Sequence, residues 1–108
     1  MMYAVEKIKD NVIAALKEVI DPETGVDVVR MRLVLDLQIH EDGTASYIFR
    51  PSSPLCPIAL TLVISIIEAV KTVDGVMDQK VTVVDYVGAE ELNKILHSLP
   101  LSKPRTVE

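Results

Sequence analysis

The stretch "LVLDLQIHEDGTASYIF", residues 33–49, decides how this chain folds. Leu33, Leu35, Leu37 and Ile39 alternate with Val34, Asp36, Gln38 and His40, and the alternation reaches back through Val29 and Met31. A period of two puts alternate side chains on opposite faces of a strand, so residues 29–40 predict one half-buried strand. After "EDG", Ala45, Tyr47 and Phe49 alternate with Ser46, Ile48 and Arg50. Register then selects the turn. A two-residue loop at 42–43 pairs Leu37 with Ile48 and turns Tyr47 and Phe49 to the polar face. A three-residue loop, 41–43, pairs Leu37 with Tyr47 and Leu35 with Phe49. One slipped residue turns every side chain over, so the three-residue loop with a left-handed Gly43 is expected.

Upstream, Val5, Ile8, Val12, Ala15, Leu16 and Val19 recur at helical spacing opposite Glu6, Lys9, Asp10 and Lys17, predicting a helix over 4–20. "DPETG" should end it, because Pro22 disfavours helical geometry at Asp21 and Gly25 supplies a turn position. Downstream, residues 57–72 place Thr61, Ser65, Glu68 and Lys71 on a narrow polar stripe of an otherwise apolar helix, stopped at Gly75. Two covers fit so thin a stripe: the domain itself on two sides, or a second copy of the chain in a homodimer. "KVTVVDY", residues 80–86, reads as a third strand, and 88–99 as a short amphipathic helix. The order α-β-β-α-β-α implies a two-layer α+β domain, with helices packed on a mixed three-stranded sheet. It should occupy residues 1–97, followed by a loose tail over 98–108 with Pro100 and Pro104.

Composition narrows the function. The 108 residues carry a formal net charge of −5, which argues against counterion-releasing binding to nucleic acid. No apolar run approaches the ~18–20 residues that span a bilayer. "MMYAVEKIKD" has no signal-type apolar core, and a lone cysteine makes no internal disulfide. A soluble cytoplasmic protein is the expectation.

That cysteine, Cys56, sits in "PSSPLCPIAL", residues 51–60. Pro57 suits a first helical position, which places Cys56 at or beside a helix cap. Helix-start N–H groups and the dipole stabilise a thiolate there, favouring a reactive thiol or metal ligand, whereas a free cysteine is otherwise a small buried hydrophobe. Ser52 and Ser53 fit helix capping or a serine turn, or else a small ligand pocket with the helix-start N–H groups. No base lies near them in sequence to activate a hydroxyl. Asp21, Glu23 and Asp27 lack the spacing of a calcium loop and read as solvated turn residues. His40 and His97 fall in no metal motif.

Together, "DPETGVDVV", Leu33-Val34, the "EDG" hairpin, "SSPLCP" and "VDGV" before a β-rich strand resemble the small PaaD-like and SufT-like domain family of iron–sulfur cluster assembly. The likeness runs from about Val5 to Tyr86. It implies Cys56 as the functional residue, with Ser52, Asp21 and Glu23 matching the family's hydroxyl and acidic-turn positions. It also implies an assembly or targeting component, not a turnover enzyme, that works with the iron–sulfur machinery and client apoproteins. The family's Asp-Leu-Gly before Leu-Val is Arg30-Met31-Arg32 here, and Leu55 replaces a frequent glycine. These departures bear on partner choice.

Clusters normally take four thiolate-type ligands, so Cys56 alone serves only a transient cluster, shared with a second molecule. The leading expectation is an assembly, transfer or targeting factor with Cys56 as transient ligand or client contact. The alternative is a cofactor-free protein-interaction adaptor in which Cys56 is structural. A redox enzyme fits less well, because no second cysteine resolves an oxidised thiol.

Overall fold

A computed structural model describes residues 5–55 and 57–98. Its elements follow the expected order: α1 Val5–Leu16, β1 Val34–Ile39, β2 Thr44–Phe49, α2 Ala59–Lys71, β3 Asp78–Val83 and α3 Ala89–Ser98. The sheet order is β1-β2-β3, with β1 antiparallel and β3 parallel to the central β2. This is the mixed three-stranded α+β domain the sequence predicts. The expected tail lies, from residue 99 on, outside the described residues, as does Cys56.

The hairpin turns through 41–43 as register requires. The Gly43 N–H donates to the His40 carbonyl at 2.9 Å, and the His40 N–H to the Thr44 carbonyl at 2.8 Å. Gly43 is left-handed at φ 92°, and a Cβ there would come within 3.1 Å of the Gly75 carbonyl. The Thr44 N–H, bonded to the exposed Asp42 carboxylate at 2.9 Å, holds that carboxyl below its ordinary range.

Beyond the turn, the expected Leu35–Phe49 pairing is not formed. Gln38 faces Ser46 and Ile39 faces Ala45, but a bulge follows, and Leu35 then faces Ile48 while Val34 faces Phe49. Asp36 is left-handed at φ 52° within it. An extra residue on one strand reverses the alternation. Val34 and Leu37 therefore pack on the core, while Leu35 is carried to the opposite face with Ile48.

Other boundaries shift for local reasons. α1 buries Ile8, Val12 and Leu16, but it ends short of residue 20. The N–H groups of Glu18 and Val19 turn to the Ala15 and Leu16 carbonyls in tight i→i−3 bonds, and Ile20 instead bridges to Asp27. α2 is capped by Ile58 without a side-chain bond, and the Leu62 N–H closes on the Ile58 carbonyl at 2.8 Å. Pro57 thus precedes the cap instead of opening the helix, so Cys56 falls two positions before the cap in sequence. The helix stops at Lys71, next to the expected end at residue 72, where the Thr72 hydroxyl donates to the Ala69 carbonyl. Gly75, at φ 97°, instead turns the chain toward β3; a Cβ there would lie 2.8 Å from Ile8 Cδ1. β3 ends at Val83, short of the expected residue 86, because Asp85 is left-handed at φ 53°.

The buried face of α2 presents Ala59, Leu62, Val63, Ile66, Ile67 and Val70 to the core. Its outer face is wider than the polar stripe: Leu60 is 51% and Ile64 36% exposed beside Thr61 and Ser65. α1 packs on α2 and β1, and α3 on β3. One buried polar chain ties sheet to helix. The Tyr47 hydroxyl donates to Gln79 Oε1 at 2.7 Å, and Gln79 Nε2 donates to the Ile67 carbonyl at 3.0 Å. Burial pushes the Tyr47 phenol well above its ordinary pKa, so it stays a donor. The outer edge of β3 is blunted: Asn93 takes the Val83 N–H at 2.8 Å and donates to its carbonyl, while Asp78 accepts the Gln79 N–H. Such protection discourages another strand from adding there.

Candidate functional site

Because β2 and β3 run parallel with Phe49 beside Val83, the loops that follow them emerge at one end of the sheet. β1 is antiparallel to β2, so the segment leading into it arrives at the same end. The Arg50 N–H bonds the Leu33 carbonyl at 2.8 Å, and the Val84 N–H bonds the Phe49 carbonyl at 3.1 Å, drawing the segments together. Between them lies an open cleft of about 720 Å³. Met31, Arg32 and Leu33 form one wall, Arg50, Pro51 and Ser52 a second, and Asp85 and Tyr86 face them. A cleft outside the carboxyl ends of parallel strands is a common place for a binding site.

Residues 29–32, expected to begin the first strand, instead belong to a single capped helical turn over 27–32. The Asp27 carboxylate accepts the Arg30 N–H at 2.8 Å, as an N-cap side chain does. At the other end, the Leu33 N–H bonds the Val28 carbonyl and the Arg32 N–H bonds the Val29 carbonyl, both at 3.0 Å. This pair of bonds is a Schellman closure, whose penultimate residue is left-handed and usually glycine. Here that residue is Arg32, at φ 60°. The glycine of the resembling family's Asp-Leu-Gly thus has a backbone reason, and this chain has placed a cation on the strained position. Arg32→Gly should raise the unfolding free energy by about 1 kcal/mol, read from urea denaturation at constant slope.

Asp21 is not a solvated turn residue: it is 1% exposed. Its carboxylate accepts the Glu23 N–H at 2.8 Å, its carbonyl accepts the Gly25 N–H at 2.7 Å, and its N–H bonds the Val26 carbonyl. It is the organiser of the DPETG loop. Thr24 links this loop to the next turn, its hydroxyl donating to Met31 Sδ at 3.2 Å. Glu23 and Arg30 are exposed and stand outside the cleft wall.

Of the sequence candidates, the cleft therefore gathers Arg32 and Ser52. Ser53 makes a serine turn instead, its Oγ accepting the Leu55 N–H at 3.2 Å, and neither serine caps α2. The Pro54 carbonyl accepts the Val87 N–H at 2.8 Å, fastening the segment before Cys56 to the loop after β3. Sequence reading missed Arg50 and Asp85, whose Nε and Oδ2 atoms pair at 3.0 Å. Only the parallel register of β2 with β3 brings residues 50 and 85 together. Alternation within either strand carries no signal of it.

Among the described residues no group of three or more histidine, cysteine, aspartate or glutamate side chains is placed to hold a metal ion. With one cysteine in the chain, the donor set does not fit a resident iron–sulfur cluster. Nor is any described helix long and apolar enough to cross a membrane.

The chain is thus a small α+β domain with a polar-rimmed cleft lined by the segment before β1 and the loops after β2 and β3. Comparison with known proteins sharpens this. Residues 9–83 match the family described as iron-sulfur cluster assembly protein, and the chain belongs to that family. It is 37% identical over 79 residues to the Bacillus subtilis Fe-S protein maturation auxiliary factor YitW, covering 73% of this chain and 78% of the relative. An uncharacterized Methanocaldococcus jannaschii protein is 33% identical, over 82% of this chain and 93% of its own. A Bacillus anthracis domain of unknown function superposes with a TM-score of 0.68 at 30% identity, over 87% of this chain and 94% of that one. The resemblance read from the motifs is thus borne out, and with it a general role in iron–sulfur cluster assembly as an auxiliary factor, not a catalytic enzyme.

Proposed function

We propose that the chain transfers or targets iron–sulfur clusters to client apoproteins, with Cys56 as the transient cluster ligand or client contact. The cluster is cargo. The Cys56 thiolate replaces one ligand on an incoming cluster and is itself displaced by a client thiolate, a ligand exchange with no net electron transfer. The remaining ligands come from other molecules, a second copy of this chain among them.

The observation that supports this reading most is the course of residues 51–55. They line the cleft at Pro51, Ser52 and Pro54, are tied down through the Pro54 carbonyl, and lead in sequence directly to the lone thiol. Asp21 and Glu23 act here through the loop they build, and Ser53 through its turn. The setting is cytoplasmic.

Cys56→Ser is the test. In cells depleted of the native protein, the variant should leave client iron–sulfur enzymes at the activity of the depleted strain. Anaerobic reconstitution with iron and sulfide should load the wild type and not the variant. Alkylation of Cys56 in the folded protein should be rapid. If neither protein binds iron and Cys56→Ser sustains client maturation, the thiol has no such role. Slow alkylation together with full maturation would identify the adaptor with a structural cysteine.

A further inference from the structure

The cleft has a charge that the rest of the chain does not. Formal net charge is −5, yet the walls carry the guanidinium groups of Arg32 and Arg50 against the single carboxylate of Asp85. Arg32 makes no ion pair among the described residues. It also occupies a left-handed position where glycine relieves strain. Arg50 is engaged, but loosely: its side chain is 57% and that of Asp85 63% exposed. An ion pair so open to water contributes little and exchanges readily. Apart from Ser52, the remaining walls, among them Leu33, Pro51, Pro54 and Tyr86, are largely apolar and give side chains something to lie against. Two guanidinium groups beside apolar walls suit carboxylates carried on a partly apolar peptide.

We propose that this cleft docks an acidic, partly apolar segment of a partner protein, with Arg32 and Arg50 taking its carboxylates and Asp85 competing for Arg50. This deepens the assembly reading by giving the partner's chemistry, and it rests on that reading only for the partner's being a client or assembly component. Asp85 acts as an internal stand-in for the partner. The incoming carboxylate replaces it on Arg50 and finds Arg32 unoccupied.

The substitutions that test this respect the backbone. Arg32→Gly favours the same left-handed conformation, and Asp85→Asn keeps a residue type that tolerates it. A dye-labelled peptide, Gly-Leu-Glu-Leu-Asp-Leu-Gly, and its Gln/Asn twin are titrated against iron-free protein and followed by fluorescence anisotropy. Inorganic phosphate serves as a competitor. The acidic peptide should bind and its neutral twin should not, and raising sodium chloride should weaken binding. Arg32→Gly and Arg50→Gln should each lose roughly tenfold in affinity, and Asp85→Asn should gain roughly threefold. Circular dichroism confirms that each variant is folded. Equal binding of both peptides, no binding of either, no response to Arg32→Gly, or phosphate binding without peptide binding would each overturn the proposal. Because the titration uses no iron, it can fail while Cys56→Ser still abolishes client maturation, and the reverse holds equally.

Discussion

Phe49→Ala should lower the unfolding free energy by about 3–5 kcal/mol, the range for removing a buried aromatic ring. Domains of this size are stable by only ~5–15 kcal/mol, so the loss takes away much of the margin. Phe49 is fully buried, and the chain has no other phenylalanine and no tryptophan. It ends the central strand, paired with Val34 on one side and Val83 on the other, in the row that joins all three strands. The surrounding core is mainly aliphatic, and β-branched neighbours such as Val34 and Val83 have little freedom to close over a void. Arg50 follows directly, so the cleft floor should loosen as well. Urea denaturation at unchanged slope measures the effect, and a loss under 1.5 kcal/mol would mean the site collapses far better than its packing indicates.

Asp21→Ala carries the second large effect, about 2–3 kcal/mol of lost stability. The carboxylate is buried and accepts the Glu23 N–H, so truncation removes a charge-assisted bond that closes the loop. That loop aligns Ile20 with Asp27 and sends Asp27 on to cap the turn that carries Arg32. Asp21→Asn should recover most of the stability, because its side-chain oxygen accepts the same N–H. Glu23→Ala, at an exposed position, should change stability by less than about 0.5 kcal/mol. Thermal and urea unfolding of the three variants separate the loop role from a contact role. If Asp21→Ala keeps full stability and loses only client maturation, Asp21 meets a partner and does not organise the loop.

These two residues show how differently the sequence exposes its information. Phe49 is legible from alternation alone, because burial on one face of a strand imposes a period of two. Asp21 is legible as a turn residue, but its burial is not, since burial depends on how the folded loop is covered. The same division runs through the site. "SSPLCP" and "DPETG" carry the family resemblance in their order, and Arg32 stands out where that resemblance implies glycine. Arg50 and Asp85, 35 positions apart by their numbers, give no local sign that they form an ion pair. The bulge at Asp36 is equally silent, because Val34 and Leu35 are both apolar and the sequence reads the same whichever of them faces the core.

By itself, then, the sequence determined the element order, the mixed sheet, the three-residue hairpin loop and the assembly family, all of which rest on local periods, turn chemistry and motif order. Tertiary structure decided the rest. It broke the long first strand into a capped turn and a short strand, because closing the turn at Arg32 satisfies carbonyls that a continuous strand would have to pair elsewhere. It moved the start of α2 to Ala59, and it assembled the cleft from three loops that meet only when β2 and β3 lie in parallel register. Local rules act over a few residues. The cleft is made by hydrogen bonds between segments tens of residues apart, which no short-range pattern records.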